Sequence, residues 1–438
     1  MKLDTLKELH CPYCDTNLEL AKEIDIIGED INQAIVSCNC RNYPLVEGIL
    51  VLRNQIPDSN SLAASLLQAG DFSQALYYLL RPKGTVDRFI QAARRRKLPF
   101  SIVAQKSRLK QINHYLYKTI QASLFSRALL QLNLGGYGDY FLYRFSNTSF
   151  VAGIPLILIM EDLTGPILEI GCGMGHQGFV MSQLYPQSKQ VFVDFSFINL
   201  LLAKRFFIPE AEYICLDAND PLPFPDRKFS AIFSSDALHY LESKKLVMQE
   251  IARISDSGAV ILLSHLHNSG GSDSVAGTPL TAEGWMRLSP FLKTKLLPEP
   301  QVFHNFLSQD KLELSSSPST EELEQSNAFS LIATNQEKIF RTYEQIGERF
   351  FNLQSHLIIN PLYRISLRGS DVILRKNWPT AFIRAENIII DRIMPDTYCL
   401  DRESLKQIQE DGILSLDPGR VIDLMKKFIF INVPENYS

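Results

Sequence analysis

Leu168-Glu-Ile-Gly171-Cys-Gly173-Met-Gly175 decides how this chain is read. The stretch closes a short apolar run and opens a segment of helical pattern. Three glycines at alternate positions let a backbone turn tightly and approach a ligand closely. Asp194 closes the next apolar run, 19 residues after Gly175. An acid at that spacing, at the end of a second strand, can accept hydrogen bonds from both hydroxyls of a ribose. On these features alone a dinucleotide and another nucleoside fit equally well.

Outward from this turn, short apolar runs alternate with longer mixed segments. Strands are expected at 166–170, 190–194, 212–216, 229–234 and 259–264, with helices at 177–184, 197–207 and 242–254. Strands alternating with helices predict a parallel sheet covered on both faces. Runs at 291–297 and 329–334 can complete it. Residues 61–146 have a helical pattern, and the last hundred residues mix helices with short strands near 357–359 and 428–433. Gly, Pro, Ser and Asp cluster at 54–61, 268–279 and 308–326, which marks loops. Ser319 with Glu322 fits a capping box, so a helix is expected to begin there.

Three features separate a dinucleotide from a cationic nucleoside. Glu169 precedes the first glycine, and a carboxylate there opposes a pyrophosphate but suits a positive ligand. The third run ends in Leu216-Asp217-Ala218, where an acid can meet an adenine amine. Then follows Leu222-Pro-Phe-Pro-Asp226-Arg-Lys-Phe229-Ser-Ala-Ile-Phe-Ser-Ser-Asp-Ala-Leu-His239-Tyr-Leu.

This ordered set resembles class I methyltransferases that use S-adenosylmethionine, most closely the small-molecule branch typified by quinone-biosynthesis enzymes. The resemblance covers residues 165–266. It implies an α/β fold with a Rossmann-like seven-stranded sheet. It also implies that Glu169 and the loop Gly171, Cys172, Gly173 and Gly175 cradle the methionine and ribose end, that Asp194 binds ribose, and that Asp217 and Ala218 flank adenine. Ser234 and Ser235 would sit beside the methionine moiety. One departure is Ile254-Ser-Asp-Ser-Gly258, where the family usually has a Pro-Gly-Gly turn.

Methyl transfer is an in-line displacement at a carbon already activated by its sulfonium, so positioning can supply about 7–11 kcal/mol of the catalysis. A base is needed only for a weakly acidic hydroxyl or a protonated amine. His239, after the fourth strand, is the best-placed base, and a packed core residue is its alternative. His176 adjoins the loop. His265 and His267 follow the fifth strand and can face the cleft; as a His-x-His pair they can also ligate a metal, but they lack a third partner in the sequence. The segment before the sheet holds Tyr115, Tyr117, Phe125, Tyr137, Tyr140, Phe141, Tyr143 and Phe145, which fit a helical lid over the substrate or an ordinary helix core.

The N-terminus has Cys11-Pro-Tyr-Cys14 and then Cys38-Asn-Cys40. Two converging thiolate pairs can complete a tetrahedral zinc shell, which all-cysteine ligation would close and make structural. About 50 residues is also near the size at which a core alone is marginal. Unligated thiols and a redox dithiol at Cys11 and Cys14 are the alternatives. Cys40-Arg-Asn-Tyr-Pro-Leu-Val-Glu-Gly-Ile49 resembles the ending of small zinc-ribbon modules that accompany methyltransferases, a resemblance covering about residues 7–53.

The division expected is a zinc ribbon at 1–53, a helical lid or substrate region at 61–150, a cofactor-binding methyltransferase domain at 151–336 and a small α+β extension at 337–438. The 438 residues carry 44 Lys and Arg against 48 Asp and Glu, which speaks against a general nucleic-acid binder. Residues 81–118 are locally basic, with eleven Lys or Arg against Asp87. That fits a solvated helix face, or an anionic partner such as RNA, a phosphorylated substrate or an acidic carrier protein. No apolar run reaches the 18 or so residues that span a bilayer. The start has no leader-like apolar core, and four of the seven cysteines fall in the first 40 residues, so a reducing cytoplasm is expected. The leading function is methyl transfer from S-adenosylmethionine to a small biosynthetic acceptor, anionic or carrier-bound. RNA methylation and a non-catalytic cofactor-binding partner module are the rivals.

Overall fold

The computed structural model describes residues 1–53, 57–80, 124–132, 134, 136–271, 276–289, 292–368 and 371–438. The basic stretch 81–118, with Tyr115 and Tyr117, lies outside them.

The N-terminal segment supplies β1 (Glu19–Ile27), β2 (Asp30–Ser37), β3 (Asn42–Val46) and β4 (Ile49–Val51). The alternating part of the chain supplies β5 (Ile167–Ile170), β6 (Gln190–Asp194), β7 (Glu212–Cys215), β8 (Phe229–Ser235), β9 (Ser255–His267) and β10 (Lys293–Pro298). After β11 (Lys311–Glu313) comes β12 (Ala328–Thr334). Every strand expected in this region forms. The helices follow the sequence pattern too, at His176–Leu184, Phe197–Phe206 and Lys244–Ile254. The capping box at Ser319 and Glu322 opens the helix Thr320–Glu324.

One sheet runs β1-β2-β3-β4-β7-β6-β5-β8-β9-β12-β10. From β7 to β9 it is parallel, and β12 and β10 close it antiparallel. These seven strands are the expected Rossmann-like unit. Its parallel strands are buried on both sides, as doubly covered sheets require. Ile167, Phe192 and Phe233 face one apolar core, with Phe179, Phe197 and Leu200 of the covering helices. Leu168, Val191, Val193 and Ile232 face the other, with Val247, Met248 and Ile251. Where the family's Pro-Gly-Gly turn is missing, the β8–β9 pairing jumps from Phe229–Ser255 to Ala231–Val260, and the Asp256 carboxylate takes the Ser230 hydroxyl and the Gly258 N–H.

The sheet is wider than the seven strands expected, because the cysteine-bearing segment continues it. β4 pairs in parallel with β7, through Ile49–Tyr213, Leu50–Ile214 and Val51–Cys215. The Glu212 carboxylate, itself buried, accepts the Lys2 N–H at 3.0 Å and the Thr5 hydroxyl at 2.8 Å. Leu45, Leu50 and Leu52 join the same core as Leu168 and Ile214. An otherwise open edge strand is thereby covered, which removes an aggregation-prone row of unpaired backbone groups.

C-terminal to β12, β13 (Thr342–Glu344) pairs with β11; β14 (Leu357–Ile359) pairs with β18 (Phe430–Asn432); and β15 (Tyr363–Arg368), β16 (Asp371–Lys376) and β17 (Thr397–Leu400) form a meander. The chain end is anchored: the Phe125 and Ser126 N–H groups donate to Asn436 and Tyr437, and the Tyr437 hydroxyl donates to the Leu142 carbonyl at 2.5 Å. The C-terminal part thus braces the helices Phe125–Leu132 and Gly136–Leu142, the second of which sets Phe141 against Gly173. Among the described residues no helix is long and apolar enough to cross a membrane.

Leu50 is fully buried where the two parts of the sheet meet. Leu50→Ala is expected to cost about 2–5 kcal/mol, read as a lower urea midpoint, in one transition that carries both the N-terminal strands and the parallel sheet.

Candidate functional site

Gly171, Gly173 and Gly175 all hold left-handed backbone, at φ +71°, +55° and +87°. Space enforces glycine as well. A side chain on Gly171 would come within 2.5 Å of the Ala237 Cβ, and one on Gly173 within 2.9 Å of the Phe141 ring. The turn is fastened to β6: the Gly171 N–H donates to the Val193 carbonyl at 2.8 Å, and the Gly173 N–H donates to the Asp194 carboxylate at 2.9 Å. Asp194 also accepts the Ser196 N–H at 2.7 Å and the Asn199 amide at 3.4 Å. Burial raises its pKa, and those donors pull the other way. Cys172 is buried within the turn, and burial holds its thiol well above the usual range.

Asp217 lies two residues beyond β7, where its Oδ1 accepts the Asn219 N–H at 3.0 Å, and the half-buried Ala218 follows. Gly173, Asp194 and Asp217 therefore meet at the C-terminal ends of three adjacent strands, the edge where open α/β sheets bind ligands. Ser234 and Ser235 sit at the end of β8. Their hydroxyls donate to the carbonyls of Ile170 and Ser149, so what they keep for a ligand is acceptor capacity. Glu169 is 2% exposed with no partner for its Oε2 among the described residues. Burial pushes its pKa well up, against the pull of Arg144. A cleft of about 270 Å³ lined by Gly165, Ser230, Asp256 and Gln336 lies at the opposite strand ends, away from this constellation.

The helix Gly136–Leu142 connects the turn to a second polar group. The Tyr137 hydroxyl accepts from Asn199, the Phe141 ring faces Gly173, and the Tyr140 hydroxyl donates to Asp236 at 2.6 Å. Asp236 follows β8, beside the Ala237 that packs over Gly171. Its carboxylate lies 3.4 Å from Arg144 and 3.4 Å from the His267 Nε2. His265 Nδ1 is 2.8 Å from the buried Glu299. Burial opposes charge on His265, but Glu299 and Asp236 outweigh it and lift its pKa to about 9.

His239 is 1% exposed, and neither ring nitrogen has a partner among the described residues. Burial lowers its pKa to about 4, against the pull of Asp236, so it is neutral at pH 7. His176 is no part of the cleft: it packs among Phe125, Phe145 and Phe207 and bonds the Phe141 carbonyl. Sequence reasoning placed His265 and His267 near the cleft but missed Asp236, Glu299 and Arg144. The Asp directly after the second serine was the available signal.

At the N-terminus the sulfurs of Cys11, Cys14, Cys38 and Cys40 lie within 4.8 Å of one another, with 3.6 Å between Cys11 and Cys40 and 3.3 Å between Cys38 and Cys40. Four sulfurs about 2.3 Å from a tetrahedral zinc ion stand about 3.8 Å apart, so the set fits that ion. Tyr13, between the first two cysteines, donates to Asp220 at 2.8 Å, in the loop that begins with Asp217.

Residues 167–258 match the family model described as a methyltransferase domain. The chain carries a methyltransferase domain. Its curated relatives include the malonyl-acyl-carrier-protein O-methyltransferase of Hamiltonella defensa, 28% identical over 159 residues, which are 36% of this chain and 53% of that protein. Ajmaline N-methyltransferase of Rauvolfia serpentina is 28% identical over 106 residues, 23% of this chain and 36% of that protein. The chain thus spans about half the length of the first relative and about a third of the second. A solved structure, phosphoethanolamine N-methyltransferase 2 of Haemonchus contortus with S-adenosyl-L-methionine, aligns at 16% identity and a TM-score of 0.34 over 48% of this chain and 59% of that one. The matched segment of the methyltransferase domain holds the glycine turn, Asp194, Asp217 and His239; His265, His267 and Glu299 lie beyond it.

The raised pKa of Glu169 has a definite sign. A carboxyl held above its ordinary value of 4.5 destabilises the fold progressively as pH rises past that value. Glu169→Gln is therefore expected to gain stability relative to the parent between about pH 5 and pH 8, measured as the difference between their melting temperatures at each pH.

Proposed function

We propose that this chain is an S-adenosylmethionine-dependent methyltransferase acting on a small biosynthetic acceptor, free or carrier-bound, in the reducing cytoplasm. The convergence of Gly173, Asp194 and Asp217 on one sheet edge carries the reading. In it, Asp194 receives the ribose hydroxyls, Asp217 and Ala218 border the adenine, and the turn with Glu169, Cys172, Ser234 and Ser235 surrounds the methionine end. The cofactor, when bound, supplies a methyl group on a sulfonium. The protein's share is to orient the acceptor, exclude water and receive a proton where the acceptor has one to lose. Beside the site, Tyr140, Asp236 and His267 stand where an acceptor enters, and His239 is a neutral base behind them. The relative that acts on a malonyl carrier protein supports a small, carrier-linked acceptor. The RNA reading leans on 81–118, outside the described residues, and no observation favours it. A non-catalytic module would bind the cofactor without turnover.

The four cysteines are proposed to hold a structural zinc ion, which would stiffen the N-terminal strands and, through Tyr13, the loop beside Asp217.

Calorimetry with S-adenosylmethionine is expected to show binding that Asp194→Asn weakens by about tenfold or more, roughly 1.4 kcal/mol. Absence of heat with millimolar ligand and folded protein would remove the reading. Chelation is expected to release zinc, lower the melting temperature and free the four thiols for titration. Cys38→Ser should purify without that ion.

A further inference from the structure

We infer that Asp236, His265 and His267 form a binding site for a divalent transition-metal ion, separate from the cysteine cluster. One ligand atom from each of the three lies within 4.8 Å of the others. Two imidazoles and one carboxylate form a donor set that suits zinc, iron(II) and related ions and leaves open positions.

The spacing is compatible with coordination. Asp236 Oδ1 and His267 Nε2 are 3.4 Å apart. Ligands about 2.1 Å from a tetrahedral ion stand about 3.4 Å apart. His265 carries the partner that metal-bound histidines have. Its Nδ1 faces the Glu299 carboxylate at 2.8 Å, and the other oxygen of that carboxylate accepts the His265 N–H at 2.7 Å. This fixes the ring and leaves Nε2 for an ion. Glu299 is 2% exposed, so the arrangement is built into the interior.

A further observation points to a ligand here. His239, buried with both ring nitrogens unpartnered among the described residues, lies with its ring 4.6 Å from that of His267. A buried imidazole without a partner is costly unless something in the cleft completes it. The inference concerns ion binding and stands whether or not the methyl-transfer reading holds.

The full-length protein, stripped with chelator and titrated with cobalt(II), tests it. Cobalt at the cysteines would show intense sulfur charge-transfer bands. Cobalt at Asp236, His265 and His267 would show only weaker visible bands of nitrogen and oxygen ligation. The expected result is that the weaker bands survive Cys38→Ser and are lost in His267→Gln and in Asp236→Asn, each variant being checked by circular dichroism for its fold. No nitrogen-and-oxygen cobalt spectrum in the parent protein would overturn the inference, as would a spectrum unchanged in a folded His267→Gln or Asp236→Asn. Because the parent spectrum alone can overturn it, failure of a variant to fold does not protect the idea. Cobalt binding is read independently of S-adenosylmethionine binding, so the failure of one reading is distinguishable from that of the other.

Discussion

The bond from the Gly173 N–H to the Asp194 carboxylate organises this molecule. It joins the end of one parallel strand to the end of its neighbour, in a half-buried place. A buried carboxylate survives only if donors surround it, and the turn, the Ser196 N–H and Asn199 provide them. In return the turn is held in left-handed backbone, and Ala237, Phe141 and Ala203 close into the space that side chains on the three glycines would need. Through Phe141 the helix Gly136–Leu142 is drawn over the turn, and through Tyr140 that helix reaches Asp236. The glycine turn and Asp236 therefore share one support.

A second constraint acts from the far side. The N-terminal segment pairs its last strand with β7, so the strand that leads into Asp217 is held on both edges. Contacts continue into the loops. The Arg53 guanidinium donates to the carbonyl of Phe195, next to Asp194, and Tyr13 donates to Asp220. The cysteine cluster is thus mechanically continuous with the loops that hold Asp194 and Asp217, and the C-terminal residues brace the helix Gly136–Leu142 through Tyr437.

Much of this was legible in the sequence, for particular reasons. The glycines, Asp194 and Asp217 lie within 50 residues, and each is tied to the end of a strand whose apolar run is plain. Other features were not legible. His176 stands beside the turn, yet its ring enters an aromatic core assembled from residues as distant as Phe125 and Tyr437. His265 and His267 lacked a third partner along the chain, and Asp236 supplies it from the neighbouring strand end. Glu299 reaches His265 from 34 residues away, across two further elements.

The sequence by itself determined what depends on short-range physics: the left-handed glycine turn, the alternation of buried strands with covering helices, the capping box at Ser319 and the thiol pairs at one end. Only the tertiary structure decided what depends on contacts between distant segments. It merged the cysteine segment into the sheet by pairing residue 50 with residue 214, closed the chain end onto the helices Phe125–Leu132 and Gly136–Leu142, and gathered Asp236, His265, His267 and Glu299 into one half-buried group. The reason is physical. A turn or an amphipathic period is encoded in neighbouring residues, whereas a strand edge accepts any backbone of suitable shape, and its partner is chosen by burial across the whole fold.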